Sequence, residues 1–178
     1  MSIPDLTSDG DLPRGRFCAS TDEVEKRFVT GEVYEGSATR EQVWSDFMDV
    51  VELIRRLRVR VPAAFVGGSF VTSKLDPDDV DAALLIDTSR ITNPLTFAKV
   101  TQVVADPKGA NGLQVDAFLI PWHPDGTELG GNPAYAPERG RWDDFWQRKV
   151  AKADRHPPQR WHSMPIRGYV EVIIDGYK

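Results

Sequence analysis

The sequence predicts an α/β (α+β) protein in which a small mixed β-sheet is flanked by helices. Three observations predict it. First, apolar runs of strand length occur at 63–66, 79–86, 114–121 and 168–174, each bounded by glycine, proline or polar residues. Second, the segments between them repeat apolar residues at helical spacing and carry helix-start signals. Third, 178 residues make about one domain, long enough to bury a core without disulfide or metal staples.

The elements follow in order. Residues 1–19 are rich in Pro, Gly and Asp and predict an extended N-terminal arm, leaving 20–178 as a single domain. Ser20 and Glu23 form a capping-box pattern, so a short helix over 21–29 follows, with Val24 and Phe28 on its inner side. Thr39 and Gln42 make a second such pattern. Behind it Val43, Phe47, Val50, Val51, Ile54 and Leu57 recur on one helical face, and Arg55, Arg56 and Arg58 suit the negative end of the dipole. Ala63–Val66 reads as a buried strand that breaks at Gly67, Gly68 and Ser69. The run from Asp79 to Ile86 is apolar almost throughout after its first three residues, which implies burial on both faces. Asn93 and Pro94 suit the cap and first position of another helix, with Leu95, Val100, Val103 and Val104 inside. Gln114–Pro121 is a further buried strand, and 122–140 is a loop. Trp142, Phe145, Trp146 and Val150 mark a helix whose other side is basic, and residues 168–174 give a last strand.

Composition narrows the function classes. Cys18 is the only cysteine, which excludes an internal disulfide framework or a cysteine-rich zinc module. It lies in the arm without a neighbour that would activate it and reads as structural. No apolar run approaches the ~18 residues of a membrane span, and no basic-then-apolar leader is present, so a soluble cytoplasmic protein is expected. The net charge is -5, yet residues 139–167 hold eight basic and three acidic side chains. A basic segment on an acidic body suits phosphate or RNA, or else a solvated helix face. His123, His156 and His162 have no metal-site company, and Ser69 has no histidine partner for nucleophilic work. Trp122 and Trp161 fall in loops, where an aromatic ring could stack on a base.

The carboxylates need a chemical reason. Asp79 and Asp81 are two apart on a strand, so they share a face at the mouth of a buried run. Two like charges there repel and lose hydration. Solvent exposure at the strand end is one remedy, and a divalent cation with oxygen ligands is another. Asp116 lies within the next apolar strand, where an ionised group requires a partner. That partner is an arginine such as Arg167, or a metal shared with Asp79 and Asp81. Three such carboxylates support two-metal chemistry on phosphates. The glycines at 67 and 68 let backbone approach a ligand closely, and a helix starting near Ser69 would favour phosphate.

The order of these parts carries a resemblance. A hydrophobic strand leads to Gly68-Ser69, the spacer Phe70 to Asp78 intervenes, Asp79-Val80-Asp81 opens a strand, and Asp116 follows in a later one. This resembles the nucleotidyltransferase superfamily of the DNA polymerase-β type. The chain is also similar, over most of its length, to small bacterial and phage proteins with that domain. The shared segments are Leu12–Phe17, Gly68–Lys74, Pro77–Asp81 and the closing strand. The resemblance implies a nucleotidyltransferase-like fold and Mg²⁺ (or Mn²⁺) held by Asp79, Asp81 and Asp116. It implies that Asp116 helps activate an acceptor hydroxyl. It places the phosphates of a nucleoside triphosphate such as ATP on Gly68 and Ser69, with Lys74 as a further candidate contact. The implied reaction moves a nucleotidyl group to an RNA end, a protein or a small molecule, in a toxin–antitoxin or phage-defence setting, with a partner protein as an option. Two alternatives stay open: a catalytically silent, antitoxin-like domain binding nucleotide or a partner, and a metal-dependent nuclease.

Overall fold

Each strand sends alternate side chains to opposite faces of one five-stranded sheet, and that period divides the core in two. The computed structural model describes residues 3–124, 132–149 and 159–178. Along the chain lie β1 (Gly15–Ser20), α1 (Thr21–Phe28), α2 (Arg40–Arg56), β2 (Ala63–Gly67), β3 (Val80–Asp87) and α3 (Pro94–Ala105). Then come α4 (Pro107–Asn111), β4 (Val115–Trp122), α5 (Tyr135–Trp146) and β5 (Gly168–Ile173). The sheet order is β1-β5-β2-β3-β4. β1–β5 and β3–β4 are parallel pairs, while β2 runs antiparallel to both its neighbours, so the sheet is mixed. The parallel β3–β4 pair requires a crossover, and α3 with α4 supplies it.

Ala64, Val66, Ala82, Leu84, Ile86, Val170 and Val172 pack on one face against α1, α2 and α3. Phe65, Ala83, Leu85, Ile120 and Tyr169 pack on the other, against Trp142 and Trp146 of α5. The Ser20–Glu23 capping box forms as the sequence predicts. The second does not. Thr39 Oγ1 donates to the Pro77 carbonyl at 2.8 Å, and Ser37 Oγ instead accepts from the Arg40 amide at 3.2 Å. Asn93 caps α3, with its Oδ1 accepting from Leu95 N at 2.9 Å.

Several expectations are corrected. The N-terminal segment is not an extended arm throughout: its last residues form β1, an edge strand hydrogen-bonded along β5. Leu95 is 69% exposed rather than core, because its offset from Val100 puts it on the far side of α3. Phe145 is 51% exposed, because Trp142 and Trp146, one turn apart, take the buried stripe of α5. Trp122 is the buried last residue of β4 and not a loop residue. Val150, Lys152, Arg155 and His156 lie outside the described residues.

Candidate active site

The three carboxylates meet at the end of the sheet where β3 and β4 begin. Asp81 lies opposite Asp116 in the parallel β3–β4 register, so both side chains share the α5 face. Asp79 immediately precedes β3 and adds a third charge there. Asp81 also lies opposite Gly67 in the antiparallel β2–β3 pair, which brings the Gly68-Ser69 turn to the same place.

Gly68 is a glycine for two reasons. Its φ is +67°, a region that side chains disfavour. A Cβ there would lie 1.7 Å from Asp81 Oδ2. The neighbouring Gly67 has the face of Trp146 against it, and a Cβ would meet the ring at 2.6 Å. No helix starts at Ser69. The chain instead makes a turn in which the Ser69 carbonyl accepts from Thr72 N at 3.2 Å and Thr72 Oγ1 at 2.7 Å. Any phosphate contact here therefore uses turn amides rather than a helix terminus.

Asp81 is the most perturbed of the acids. Burial, then Asp79 and Asp116, push its carboxyl up to about 6. Arg167, just ahead of β5, offsets part of this and is itself lowered, chiefly by burial. Its Nε donates to the Trp146 carbonyl at 3.2 Å, which ties the end of α5 to the site.

Asp116 is not enclosed as the apolar run predicts. β4 is an edge strand, and the Asp116 side chain is 48% exposed. Its partner is a lysine rather than Arg167. Lys108 Nζ lies 2.7 Å from Asp116 Oδ1 and 2.7 Å from Asp79 Oδ2. Sequence reasoning does not reach Lys108, although Asp106 and Pro107 before it carry the same cap-and-proline signal as Asn93 and Pro94. It also misses Asp46 of α2, which is nearly fully buried. The Asp46 Oδ2 accepts from Gln114 N at 2.8 Å and so sets the start of β4 just ahead of Asp116.

The turn itself is gripped from beneath by Arg40. This buried guanidinium donates to the carbonyls of Phe28, Phe70, Thr72, Lys74 and Leu75 and lies 3.6 Å over the Tyr34 ring. Lys74 is not brought to the carboxylates: its ammonium pairs with Asp78 at 2.6 Å. Much of the described basic segment is also locally neutralised. Arg141 pairs with Glu138, Arg148 with Asp144 and Lys149 with Asp11. Trp161 remains 57% exposed.

A divalent cation fits the donor set, which is all carboxylate oxygen and carries an unfavourable excess of negative charge at Asp81. Among the described residues no three acidic, His or Cys side chains stand ready-arranged around a metal position. The Lys108 ammonium bridges two of the three carboxylates. Beside it a recess of about 150 Å³ opens, lined by Lys108, Asp116 and Phe118 among others.

The model of a family of unknown function, DUF6932, matches residues 4–173, and the chain belongs to that family. No curated protein and no solved structure matches the chain.

Proposed function

For this DUF6932 member we propose Mg²⁺-dependent transfer of a nucleoside monophosphate from a nucleoside triphosphate to an acceptor hydroxyl. The single observation that supports it most is the convergence of Asp79, Asp81 and Asp116 beside the Gly68-Ser69 turn. A turn that presses backbone onto a carboxylate cluster brings amide donors and metal ligands to one point. Triphosphate chemistry needs both. Mg²⁺ held by the three carboxylates would supply charge neutralisation for the phosphates.

The chain's own residues divide the remaining work. The Gly68 and Ser69 backbone holds the β- and γ-phosphates. Asp79 and Asp81 would hold the metal, whose charge would steady the α-phosphate. Asp116, half open to solvent and lining the recess, faces the acceptor. At about 150 Å³ the recess is below the ~300 Å³ of a whole small-molecule site, so it takes only the hydroxyl-bearing end of a larger acceptor. The acceptor oxygen bonds to the α-phosphorus, and the bond from that phosphorus to the bridging oxygen breaks. Pyrophosphate leaves, and the hydroxyl proton passes to Asp116. Catalysis here is positioning and electrostatics.

The test supplies each α-labelled nucleoside triphosphate separately, with Mg²⁺, RNA and cell protein, to wild type and to Asp79→Ala/Asp81→Ala. Label in RNA, protein or a small molecule with wild type alone is the expected result. Strand cleavage without added nucleotide would point to a nuclease instead. A second reading, a catalytically silent binding domain, has one observation in its favour. Lys108 already neutralises two of the carboxylates from within the chain. Nucleotide binding without label transfer would favour it.

A further inference from the structure

Lys108 bridges two of the three carboxylates from a single turn outside the sheet. It belongs to α4, a single turn inserted between α3 and β4. That turn is fixed at its root: Asp106 Oδ1 accepts from Gly109 N at 2.8 Å, and Leu113 N donates back to the Pro107 carbonyl at 3.2 Å. From this base the four-carbon stem reaches the carboxylates, and its ammonium makes two 2.7 Å ion pairs, one to an acid before β3 and one to an acid in β4. An ammonium is a compact point charge on a flexible stem, unlike a guanidinium fork, so it leaves a pair more readily than an arginine would. The side chain is 39% exposed and borders the open recess, so a path for leaving exists.

We propose that Lys108 is a displaceable internal counter-cation. Its ammonium holds the place between Asp79 and Asp116 until a divalent cation takes it, and so raises the divalent-ion concentration at which the site fills. This rests on the reading of the carboxylates as a metal–nucleotide site. A lysine and a divalent ion compete as cations for the same two carboxylates. Entry of the metal therefore releases an ammonium into the recess, next to where the acceptor end would lie, and a free Lys108 there meets an anionic acceptor. The lysine thereby raises the threshold for metal loading and offers a cationic contact in the recess once loading has occurred.

The experiment titrates Mn²⁺ alone, followed by electron paramagnetic resonance of the free ion, into wild type, Lys108→Met and Lys108→Gln. Far-UV circular dichroism and Tm establish that each variant is folded. Removing two partly exposed ion pairs that compete with the metal is expected to tighten Mn²⁺ binding about 3- to 30-fold in both variants. The Tm of each variant is expected to be lower than wild type without metal and to rise more on adding Mn²⁺. Lys108→Gln keeps hydrogen-bonding capacity without charge, so it serves where Lys108→Met does not fold. Equal or weaker Mn²⁺ binding in the folded variants overturns the counter-cation role. Binding by none of the three proteins overturns the metal-site reading beneath it.

Discussion

Asp81 has a burial and a neighbourhood that make its charge costly, and this gives the metal-free protein a distinctive pH dependence. Its carboxyl is raised to about 6, first by burial and then by Asp79 and Asp116. A raised acid is protonated in the folded chain over a range where the unfolded chain has already lost its proton. Its contribution is therefore fully present below about pH 4 and is lost as pH rises through about 6. The loss is on the order of 3 kcal/mol. In metal-free buffer Asp81→Asn is expected to raise Tm at pH 7.5 by several degrees and to flatten the fall between pH 4 and 6. Thermal melts across pH measure this, and a variant no more stable than wild type at pH 7.5 would contradict it. Gly68→Ala is the complementary test. The added Cβ falls on Asp81 Oδ2, and the alanine must keep a positive φ, costing about 1–2 kcal/mol for the backbone alone. Circular dichroism should show an intact fold, while calorimetry should show loss of Mg²⁺–nucleotide binding. Asp79, Asp81 and Gly68 are legible in the sequence because strand period and a glycine pair are local signals. Lys108 is not, since its partners, Asp79 just before β3 and Asp116 in β4, lie far from each other in sequence and only the crossover brings both to it.

Elements, rather than single side chains, hold the Gly68–Asp78 connection in place. It contains no helix and no strand, so its order comes from outside. Arg40 at the start of α2 supplies five hydrogen bonds to carbonyls, four of them within the connection. Arg40→Met takes a donor from all five carbonyls, of which the Thr72 carbonyl keeps the Tyr34 hydroxyl at 2.8 Å and those of Phe28 and Phe70 are buried, and a loss of about 3–5 kcal/mol is expected in urea unfolding. Arg40→Lys, with three donors, should recover only part. A change no larger than an ordinary surface substitution gives, about 0.5 kcal/mol, would show that the connection is held by other means. The sequence reading does not single out Arg40. Helical spacing gives the buried face of α2 correctly but cannot tell that the loop following β2 closes over its N-terminus. The same limit explains β1. Its residues alternate only weakly, and pairing with β5, at the other end of the chain, makes them a strand.

At the scale of the molecule, the mixed sheet separates support from chemistry. α1, α2 and α3 cover one face, and α5 covers the other only as far as Trp146, whose ring lies on Gly67. The end of the sheet beyond Trp146 is where Asp79, Asp81, Asp116, Arg167 and Lys108 gather. The fold class and most strand positions are readable because apolar runs and glycine breaks set them locally. The strand order is not, because it depends on pairings between β1, β5 and β2 that no local signal encodes. Among the described residues no helix is long and apolar enough to cross a membrane. The central claim is that the carboxylates and the Gly68-Ser69 turn form one metal–nucleotide site. Its most direct test is a crystal structure with Mn²⁺ and α,β-methylene nucleoside triphosphates, read by the anomalous signal of manganese. The account predicts manganese among Asp79, Asp81 and Asp116, the terminal phosphates on the Gly68 and Ser69 amides, and the Lys108 ammonium moved off the carboxylates. Nucleotide bound elsewhere, or manganese absent from the three carboxylates with the nucleotide in place, would contradict it.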